Sequence, residues 1–286
     1  MKKHRFAALL AAAVLCASLL TACSQSGGQT SDSAGSPDSG SSSQTEAPAD
    51  LLAQIRERGE IIVAMEGTWA PWTYHDENDQ LVGYDVEVAQ NIAEKLGVSV
   101  NFAEGEWDGL LAGLDAGRYD IMVNGVDIDE ERSEKYDFST PYAYNRTAVI
   151  VSGENDSIRS MEDLNGKSTA NTLNSTYANV AESYGAEVTG VDDFIQTIEL
   201  LNSGRIDATL NAEVSYYDYM AQHPDANIKI ACIDPAATQV AIPMRKGEKS
   251  AALVAAINDA LAEMMEDGTL TELSVKYFGT DISKAQ

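Results

Sequence analysis

Cysteine and histidine are scarce in this sequence, which leaves little material for several kinds of functional site. Only three of each occur among the 286 residues. His4, Cys16 and Cys23 lie in an N-terminal segment that has the features of an export signal. Cys232 then has no disulfide partner in the processed chain and is expected to be a small buried hydrophobic residue. We expect neither a zinc site nor a histidine-based catalytic triad, and no cofactor.

Basic residues are also few. The chain has 19 Lys and Arg against 45 Asp and Glu, which gives a formal net charge of -26. Phosphate backbones repel so acidic a protein, and nucleic acid is therefore not an expected partner. Anionic membrane surfaces would repel it as well, unless a covalent anchor holds it there.

The N-terminal hydrophobic run is too short to span a membrane comfortably. Lys2, Lys3 and Arg5 precede the apolar segment Phe6–Leu20, whereas a spanning helix needs about 20 apolar residues. A basic start followed by a short apolar run is typical of a secretory signal peptide. Export of the protein is therefore expected.

The segment Leu20–Cys23 resembles the lipobox of bacterial lipoproteins. This resemblance implies a signal peptide over residues 1–22 and lipid modification of Cys23, which would hold the protein at the outer face of the cytoplasmic membrane. The alternative is ordinary signal cleavage that leaves a free cysteine. The following residues to position 50 are Ser, Gly and other small or polar types, so residues 23–50 are interpreted as the lipidated cysteine and a disordered tether.

Strand and helix patterns alternate from Leu51 onward. The expected elements are a buried strand Ile61–Met65, a helix Asp85–Leu96, a strand Val98–Phe102, a helix Trp107–Ala116 and a strand Tyr119–Asn124, with an aromatic-rich loop over residues 66–80. Such alternation favours parallel α/β layers.

An internal similarity suggests two units of this kind. Leu114–Gly125 and Leu201–Ala212 both contain Gly-Arg, then Asp, a short strand and Asn. The alternative is a common helix-to-strand connection with a glycine cap. If two units face each other, the carboxyl ends of their strands would line a ligand cleft with residues 125–127 and 211–213.

Several short motifs, in their order and spacing, resemble one known family. They are Leu81–Glu87, Trp107–Leu111, Gly117–Asp120, Glu131–Arg132, Tyr136–Tyr142, Asp163–Lys167 and Asp267–Gly279. The chain resembles the polar amino-acid-binding proteins of ABC importers, which are periplasmic-binding proteins of type II, bacterial solute-binding family 3. The resemblance extends over Leu51–Gly279.

The resemblance implies an α/β fold of two lobes, each a mostly parallel sheet flanked by helices, joined by two hinge strands. Lobe 1 would comprise residues 51–145 and 238–286, and lobe 2 residues 146–237. The crossings would lie near Tyr144–Val149 and Thr238–Ile242, and Ser250–Phe278 would form a helix pair of lobe 1.

The family's function implies a monomeric binding protein that captures a polar amino acid by hinge closure and delivers it to a permease and an ATPase. Asn171–Tyr177 and Asp207–Asn211 look most like cystine-binding members. One alternative is an enzyme on the same fold, a peptidoglycan lyase or small-acid dehydratase that uses a cleft carboxylate as general acid. Another is a ligand-sensing domain.

Arg132 is the best-marked candidate residue. In the family, the matching arginine forks onto the α-carboxylate of the ligand, for which a guanidinium has two parallel donors. Backbone groups of residues 124–127 would complete the contact, and Gly125 would permit close approach. The alternative interpretation is a solvated helix start with acids at its positive end.

The sequence departs from the family at the group that binds the ammonium. An aspartate is frequent where this chain has Ala212, so Asp127 or Glu213 is expected to replace it. Around the ligand side chain, Trp69 and Trp107 are expected in the pocket and Trp72 in the core. Arg146 is a candidate for a second ligand carboxylate.

Hydroxyls and amides at a predicted helix start in lobe 2 are further candidates, with simple capping as the alternative. No catalytic or metal-binding residue is expected. The complete set of expected ligand-binding residues is Glu66, Trp69, Trp107, Asn124, Gly125, Val126, Asp127, Arg132, Thr172, Asn174, Ser175, Thr176, Asn211 and Glu213.

Overall fold

The computed structural model describes residues 50–285. The expected signal peptide, the lipidation at Cys23 and the tether up to residue 49 lie outside the described residues. Asp50, placed in the tether by sequence, caps the first helix by accepting a hydrogen bond from the backbone nitrogen of Ala53 at 2.7 Å. No helix within residues 50–285 is long and apolar enough to cross a membrane.

Helices occur along the whole described chain. They are α1 (Leu51–Arg58), α2 (Tyr84–Leu96), α3 (Trp107–Asp115), α4 (Glu130–Lys135), α5 (Thr176–Ser183), α6 (Phe194–Asn202), α7 (Glu213–Gln222), α8 (Ala251–Glu266) and α9 (Thr269–Phe278), with a 3₁₀ turn at Met161–Leu164.

The strands are mostly short. They are β1 (Glu60–Met65), β2 (Thr68–Trp69), β3 (Thr73–His75), β4 (Leu81–Val82), β5 (Ser99–Glu104), β6 (Ile121–Met122), β7 (Tyr136–Phe138), β8 (Ala143–Asn145), β9 (Thr147–Ser152), β10 (Ser168–Asn171), β11 (Glu187–Gly190), β12 (Thr209–Ala212), β13 (Ile228–Ile233), β14 (Thr238–Val240) and β15 (Pro243–Arg245). Strands β2 and β3 lie within the region expected to be a loop.

The first sheet has the strand order β5–β1–β6 and is parallel, as the sequence predicts. Val63 pairs with Phe102 on one side and with Ile121 on the other. The central strand β1 is apolar because both of its faces are covered, which is usual for a parallel strand. Helices α2, α8 and α9 pack together beside it, and α8 and α9 form the helix pair predicted at the C-terminal end.

The second sheet has the order β12–β9–β13, and both pairings are antiparallel. Strands β10 and β11 pair with each other in parallel. A single parallel bridge, between Thr169 of β10 and Ala208, connects this pair to the chain just before β12. The expectation of a mostly parallel sheet in the second unit is therefore wrong. Strand β9 follows β8 after one residue with no helix between them, so the βαβ rule that favours parallel pairing does not apply to it.

Two antiparallel strand pairs lie where the chain passes between these sheets. Strand β8 pairs with β14, with Asn145 opposite Thr238, and β7 pairs with β15. The first expected crossing, Tyr144–Val149, extends from the end of β8 into β9, and the second, Thr238–Ile242, includes β14. Their roles as crossings and as hinges stay predictions.

Cys232 differs from its expected environment. It lies in β13 and is half-buried, not fully buried, with its sulfur 3.8 Å from the sulfur of Met161. It is a free cysteine, and burial raises the pKa of its thiol to about 11. A thiol with a raised pKa is a poor nucleophile at neutral pH, and the side chain packs against Met161.

Candidate functional site

One cavity lies between the loops that follow strands of the first sheet and the helix starts of the second. Nine of the expected ligand-binding residues line it: Glu66, Trp69, Trp107, Gly125, Asp127, Thr172, Ser175, Thr176 and Asn211. We call this space the main cavity. The structure therefore brings together residues that were selected from the sequence and lie up to 145 positions apart. Their contact with a ligand stays a prediction.

The other five expected residues do not line the main cavity. Asn124, Val126, Arg132 and Asn174 stand directly behind or beside residues that do, and Glu213 lies elsewhere. Val126 is 1% exposed and its carbonyl accepts a hydrogen bond from the backbone of Ala241, so it packs in the core.

Arg132 is buried and its guanidinium is almost fully engaged. Its Nη1 donates to the carbonyl oxygen of Asp127 and to the hydroxyl of Thr176, each at 3.0 Å, and its Nη2 donates to the carbonyl of Asn174 at 3.1 Å. Its Nε lies 3.3 Å from the carboxylate of Asp129, which also caps α4. Arg132 thus joins the start of α4 to the start of α5.

Asp127 lies five residues before this arginine, and it lines the main cavity. Its Oδ1 accepts a hydrogen bond of 2.5 Å from the hydroxyl of Thr238, in the crossing strand β14. Burial raises the pKa of Asp127, while hydrogen bonds from Thr238 and Thr176 and the charge of Arg132 oppose this rise. A buried carboxylate in this position is stabilised by a cation.

Glu66 follows β1 and lines the main cavity as well. The side chain of Asn124 holds it twice: its Oδ1 accepts from the backbone of Glu66 at 2.8 Å, and its Nδ2 donates to the Glu66 carboxylate at 2.7 Å. Burial above all, and the nearby charges of Glu106 and Asp193, raise the pKa of Glu66 to about 7. Asn124 therefore positions an acid at the cavity wall.

Two tryptophans follow β1, and the structure separates their roles. Trp69 lines the main cavity and its Nε1 donates to the amide oxygen of Asn211 at 3.1 Å. Trp72 is 0% exposed and stacks against Trp69 with ring centroids 5.4 Å apart. Its core position agrees with the interpretation preferred from sequence.

Gly125 lies where the backbone passes close to the rings of Trp69 and Trp72. Its φ is +56°, and an added Cβ would lie 2.6 Å from a ring carbon of Trp69. Its backbone nitrogen donates to the buried carboxylate of Asp85 at 2.6 Å. The glycine therefore permits both the backbone turn and the close approach of Trp69.

Trp107, at the start of α3, packs against the guanidinium of Arg132. The centre of the guanidinium is 5.2 Å from its ring centroid, within the range of a cation–π contact. It is 6% exposed and lines the main cavity. The ring thus supports the arginine as well as the cavity wall.

The start of α5 combines capping with cavity contacts. Ser175 is the N-cap and accepts a hydrogen bond from the backbone of Ala178 at 3.2 Å, which is the alternative considered from sequence. Thr176 contacts Arg132, and Asn174 has a φ of +59° and donates to Asp108 at 3.0 Å. Thr172 lines the cavity, and its hydroxyl lies 3.5 Å from the carbonyl of Asp192.

Glu213 is one of the five expected residues that the structure places outside the main cavity. It forms an ion pair of 2.6 Å with Arg146, beside a separate cavity that also includes Tyr144 and Phe278. The two side chains satisfy each other because α7 begins directly opposite the segment that links β8 and β9. The structure therefore places both outside the main cavity, and their contact with a ligand stays a prediction.

Six residues that sequence reasoning did not select also line the main cavity: Thr68, Asn171, Tyr177, Asp193, Phe194 and Thr197. Asn171 ends β10 as Asn124 follows β6, and this shared position after a strand was a usable signal. Asp193 is the N-cap of α6, where an aspartate is ordinary. Its position on the cavity wall depends on where α6 lies in the folded protein, and no local sequence pattern indicates that position.

The architecture defines a class of protein: α/β sheets flanked by helices, with a polar and aromatic cavity between the first sheet and the second. The model of the family described as bacterial extracellular solute-binding proteins, family 3, matches residues 61–280. The chain belongs to this family and has the α/β fold of type II periplasmic-binding proteins.

Two curated relatives cover most of the chain. The L-cystine-binding protein TcyA of Bacillus subtilis is 40% identical over 236 residues, which is 82% of this chain and 87% of the relative. A probable amino-acid ABC transporter-binding protein of Haemophilus influenzae is 37% identical over 235 residues, 82% of this chain and 91% of that protein. Both relatives are binding proteins, and the chain is a solute-binding protein, not an enzyme.

Two solved structures are similar as well. An ancestral arginine-binding protein bound to arginine has a TM-score of 0.72 and 38% identity, covering 78% of this chain and 99% of that one. The L-cystine solute receptor of Neisseria gonorrhoeae in its unliganded open conformation has a TM-score of 0.57 and 38% identity, covering 83% and 100%.

Proposed function

We propose that the protein is the amino-acid-binding component of an ABC importer. It captures a polar amino acid by closing two lobes, residues 51–145 with 238–286 and residues 146–237, and delivers it to a permease and an ATPase. The observation that carries the proposal is the grouping of a buried guanidinium and a buried carboxylate, those of Arg132 and Asp127, at the edge of the main cavity.

Arg132 binds the α-carboxylate of the amino acid. A guanidinium has five N–H donors, and three acceptors hold the Nη groups of Arg132: the Asp127 carbonyl, Thr176 and the Asn174 carbonyl. The ligand carboxylate replaces Thr176 as an acceptor and uses the remaining Nη2 donor. Two parallel N–H donors then meet two carboxylate oxygens.

Asp127 binds the α-ammonium. It lines the main cavity, whereas Glu213, the other candidate, is paired with Arg146. Burial raises the pKa of Asp127, so a cation placed beside it gains from favouring the ionised form. The aspartate that the family often has at the position of Ala212 is thus replaced from the opposite wall.

Closure is supported by contacts between residues assigned to the two lobes. Trp69 contacts Asn211, and Arg132 contacts Thr176. The TM-score is also higher to the arginine-bound structure, 0.72, than to the unliganded open one, 0.57. A ligand with higher affinity for the closed form shifts the equilibrium toward it.

Cystine is the preferred ligand. The relatives named for cystine, TcyA and the Neisseria receptor, support this choice, as do the additional acids Glu66 and Asp193 on the cavity wall. Arginine is the second candidate, because an arginine-bound ancestral protein is similarly close. The lipid anchor at Cys23 would keep the monomer at the outer face of the cytoplasmic membrane.

A thermal-shift screen of the purified protein tests the proposal. The twenty amino acids, cystine and a peptide control are added separately, because a ligand that binds only the folded state raises Tm. We expect the largest rise with cystine or a cationic amino acid, together with a smaller radius of gyration in solution scattering. A Tm unchanged by every amino acid at millimolar concentration would contradict the proposal.

A further inference from the structure

We infer that Asn171 is a specificity-determining residue whose amide oxygen accepts a hydrogen bond from an N–H group on the side chain of the bound amino acid. The inference rests on the proposed amino-acid-binding function and adds to it the chemistry of the ligand side chain. Asn171 ends β10, is 2% exposed and belongs to the wall of the main cavity.

The orientation of the Asn171 amide is determined by its neighbours. Its Nδ2 donates to the carbonyl oxygen of Leu210 at 2.7 Å, with the hydroxyl of Thr209 a further 3.5 Å contact. Exchanging nitrogen and oxygen would place two carbonyl oxygens against each other, so the amide can adopt only this orientation. The oxygen therefore points away from β12.

This oxygen has no hydrogen-bond partner among residues 50–285. Buried polar atoms in proteins are nearly always paired, and an orphan acceptor costs free energy. Because Asn171 lines the main cavity, a molecule in that cavity is the available source of a donor. The unpaired oxygen is an independent indication of a ligand donor.

The backbone around Asn171 holds this acceptor in place. Its carbonyl accepts a hydrogen bond from Val191 at 3.2 Å, and Asn171 pairs with Gly190 in the β10–β11 register. An acceptor fixed on a strand needs little ordering when a ligand binds, which favours its use in recognition.

Other groups near this wall are acceptors too. Asp193 follows the Val191 segment, and it is close enough to Glu66 for its charge to contribute to the raised pKa of Glu66. The hydroxyl of Thr197 does not add a free donor, since it donates to the carbonyl of Phe194 at 2.7 Å. A cationic N–H donor on the ligand, an ammonium or a guanidinium, matches these acceptors.

The test measures how the effect of one substitution depends on the ligand. Isothermal titration compares the wild-type protein with Asn171→Leu, a substitution that keeps the side-chain size. The ligands are cystine and arginine, which carry side-chain N–H donors, and norleucine, which carries none. We expect the substitution to weaken cystine or arginine binding about tenfold, the effect of losing one hydrogen bond to a charged group. Norleucine binding should change less than about threefold.

Thr209→Val is the matched control. It changes the buried neighbour behind the Asn171 amide and leaves the acceptor in place, so it should affect all three ligands alike. An equal loss for all ligands in Asn171→Leu would overturn the inference, and so would tighter wild-type binding of norleucine than of cystine and arginine. Absence of binding by the wild-type protein to any amino acid would instead overturn the proposed function itself.

Discussion

The indole nitrogen of Trp69 donates a hydrogen bond of 3.1 Å to the amide oxygen of Asn211, 142 residues further along the chain. Trp69 is in the short strand β2 beside the first sheet, and Asn211 is in β12 of the second sheet. The same amide oxygen accepts from the backbone of Ala212 at 2.8 Å, which fixes its direction. This contact closes one side of the main cavity.

Trp69→Phe should weaken ligand binding by about two- to tenfold, because it removes one hydrogen bond of about 0.5–1.5 kcal/mol across the cavity and keeps an aromatic ring. Trp72→Phe is the matched control, since the Nε1 of Trp72 has no hydrogen-bond partner among the described residues. Titration calorimetry with the best ligand compares the two. Equal losses of affinity would mean that ring volume, not the bond to Asn211, determines the effect.

Arg132→Leu should reduce amino-acid affinity by at least about 30-fold, because loss of one partner from a buried charge pair costs about 2–5 kcal/mol. The control is Arg118→Leu at an exposed position, where the guanidinium contacts Tyr119. Circular dichroism first establishes that both variants fold, and calorimetry then measures binding. Undiminished affinity in Arg132→Leu would exclude the arginine from carboxylate recognition.

Asp127→Asn should lower affinity for free amino acids by about 2 kcal/mol or more, since a desolvated ammonium loses its counter-charge. Glu213→Gln removes the other carboxylate considered for this role, and it should have little effect because that group is bound to Arg146 outside the main cavity. Calorimetry at pH 8 measures both variants. The assignment is reversed if Glu213→Gln causes the larger loss.

Gly125→Ala should destabilise the protein and weaken ligand binding, because the new methyl group would lie 2.6 Å from Trp69 at a φ of +56°. Gly97→Ala shares the left-handed backbone, with a φ of +74°, but its added Cβ meets no atom within 4 Å. The control should therefore show only the strain of about 1–2 kcal/mol. Urea unfolding and calorimetry separate the two effects, and similar losses in both variants would exclude the clash with Trp69.

The buried carboxylate of Asp85 gives a pH-dependent prediction. It is 0% exposed, accepts hydrogen bonds from Tyr142 at 2.7 Å and Gly125 at 2.6 Å, and burial raises its pKa from 3.8 to about 7. The folded state then binds a proton that the unfolded state has released, so this group makes stability fall as pH rises from about 4 to 7.

Asp85→Asn removes this titration: its amide oxygen can accept from the backbone nitrogen of Gly125, while its NH2 group can only donate to the hydroxyl oxygen of Tyr142, which reverses that hydrogen bond. We expect the stability of the variant relative to wild type to increase between pH 5 and pH 7.5, by at most about 3 kcal/mol, since each unit of pKa shift corresponds to about 1.36 kcal/mol. Urea unfolding at the two pH values measures this difference. A difference that is constant or falls with pH would contradict the assigned pKa direction.

Local patterns were sufficient for the strands and helices of the first sheet. The apolar run of β1, the periodic apolar positions of α2 and the glycine after it predicted those elements to within about two residues, because burial and helix termination act on neighbouring residues. The parallel first sheet followed from the same alternation. The antiparallel direction of β9 relative to β12 and β13 did not follow from this alternation. Strand pairing there depends on which strands meet in the folded protein.

The sequence by itself determined the α/β class, the family and nine residues of the main cavity wall, since order and spacing of motifs are properties of the chain. Only the tertiary structure decided that Glu213 pairs with Arg146, that Arg132 stands behind Thr176, and that the Asn171 oxygen lacks a partner within residues 50–285. Hydrogen bonds and ion pairs form between atoms within a few ångströms of each other. The residues that supply those atoms are brought together by packing of distant segments, which no local pattern encodes.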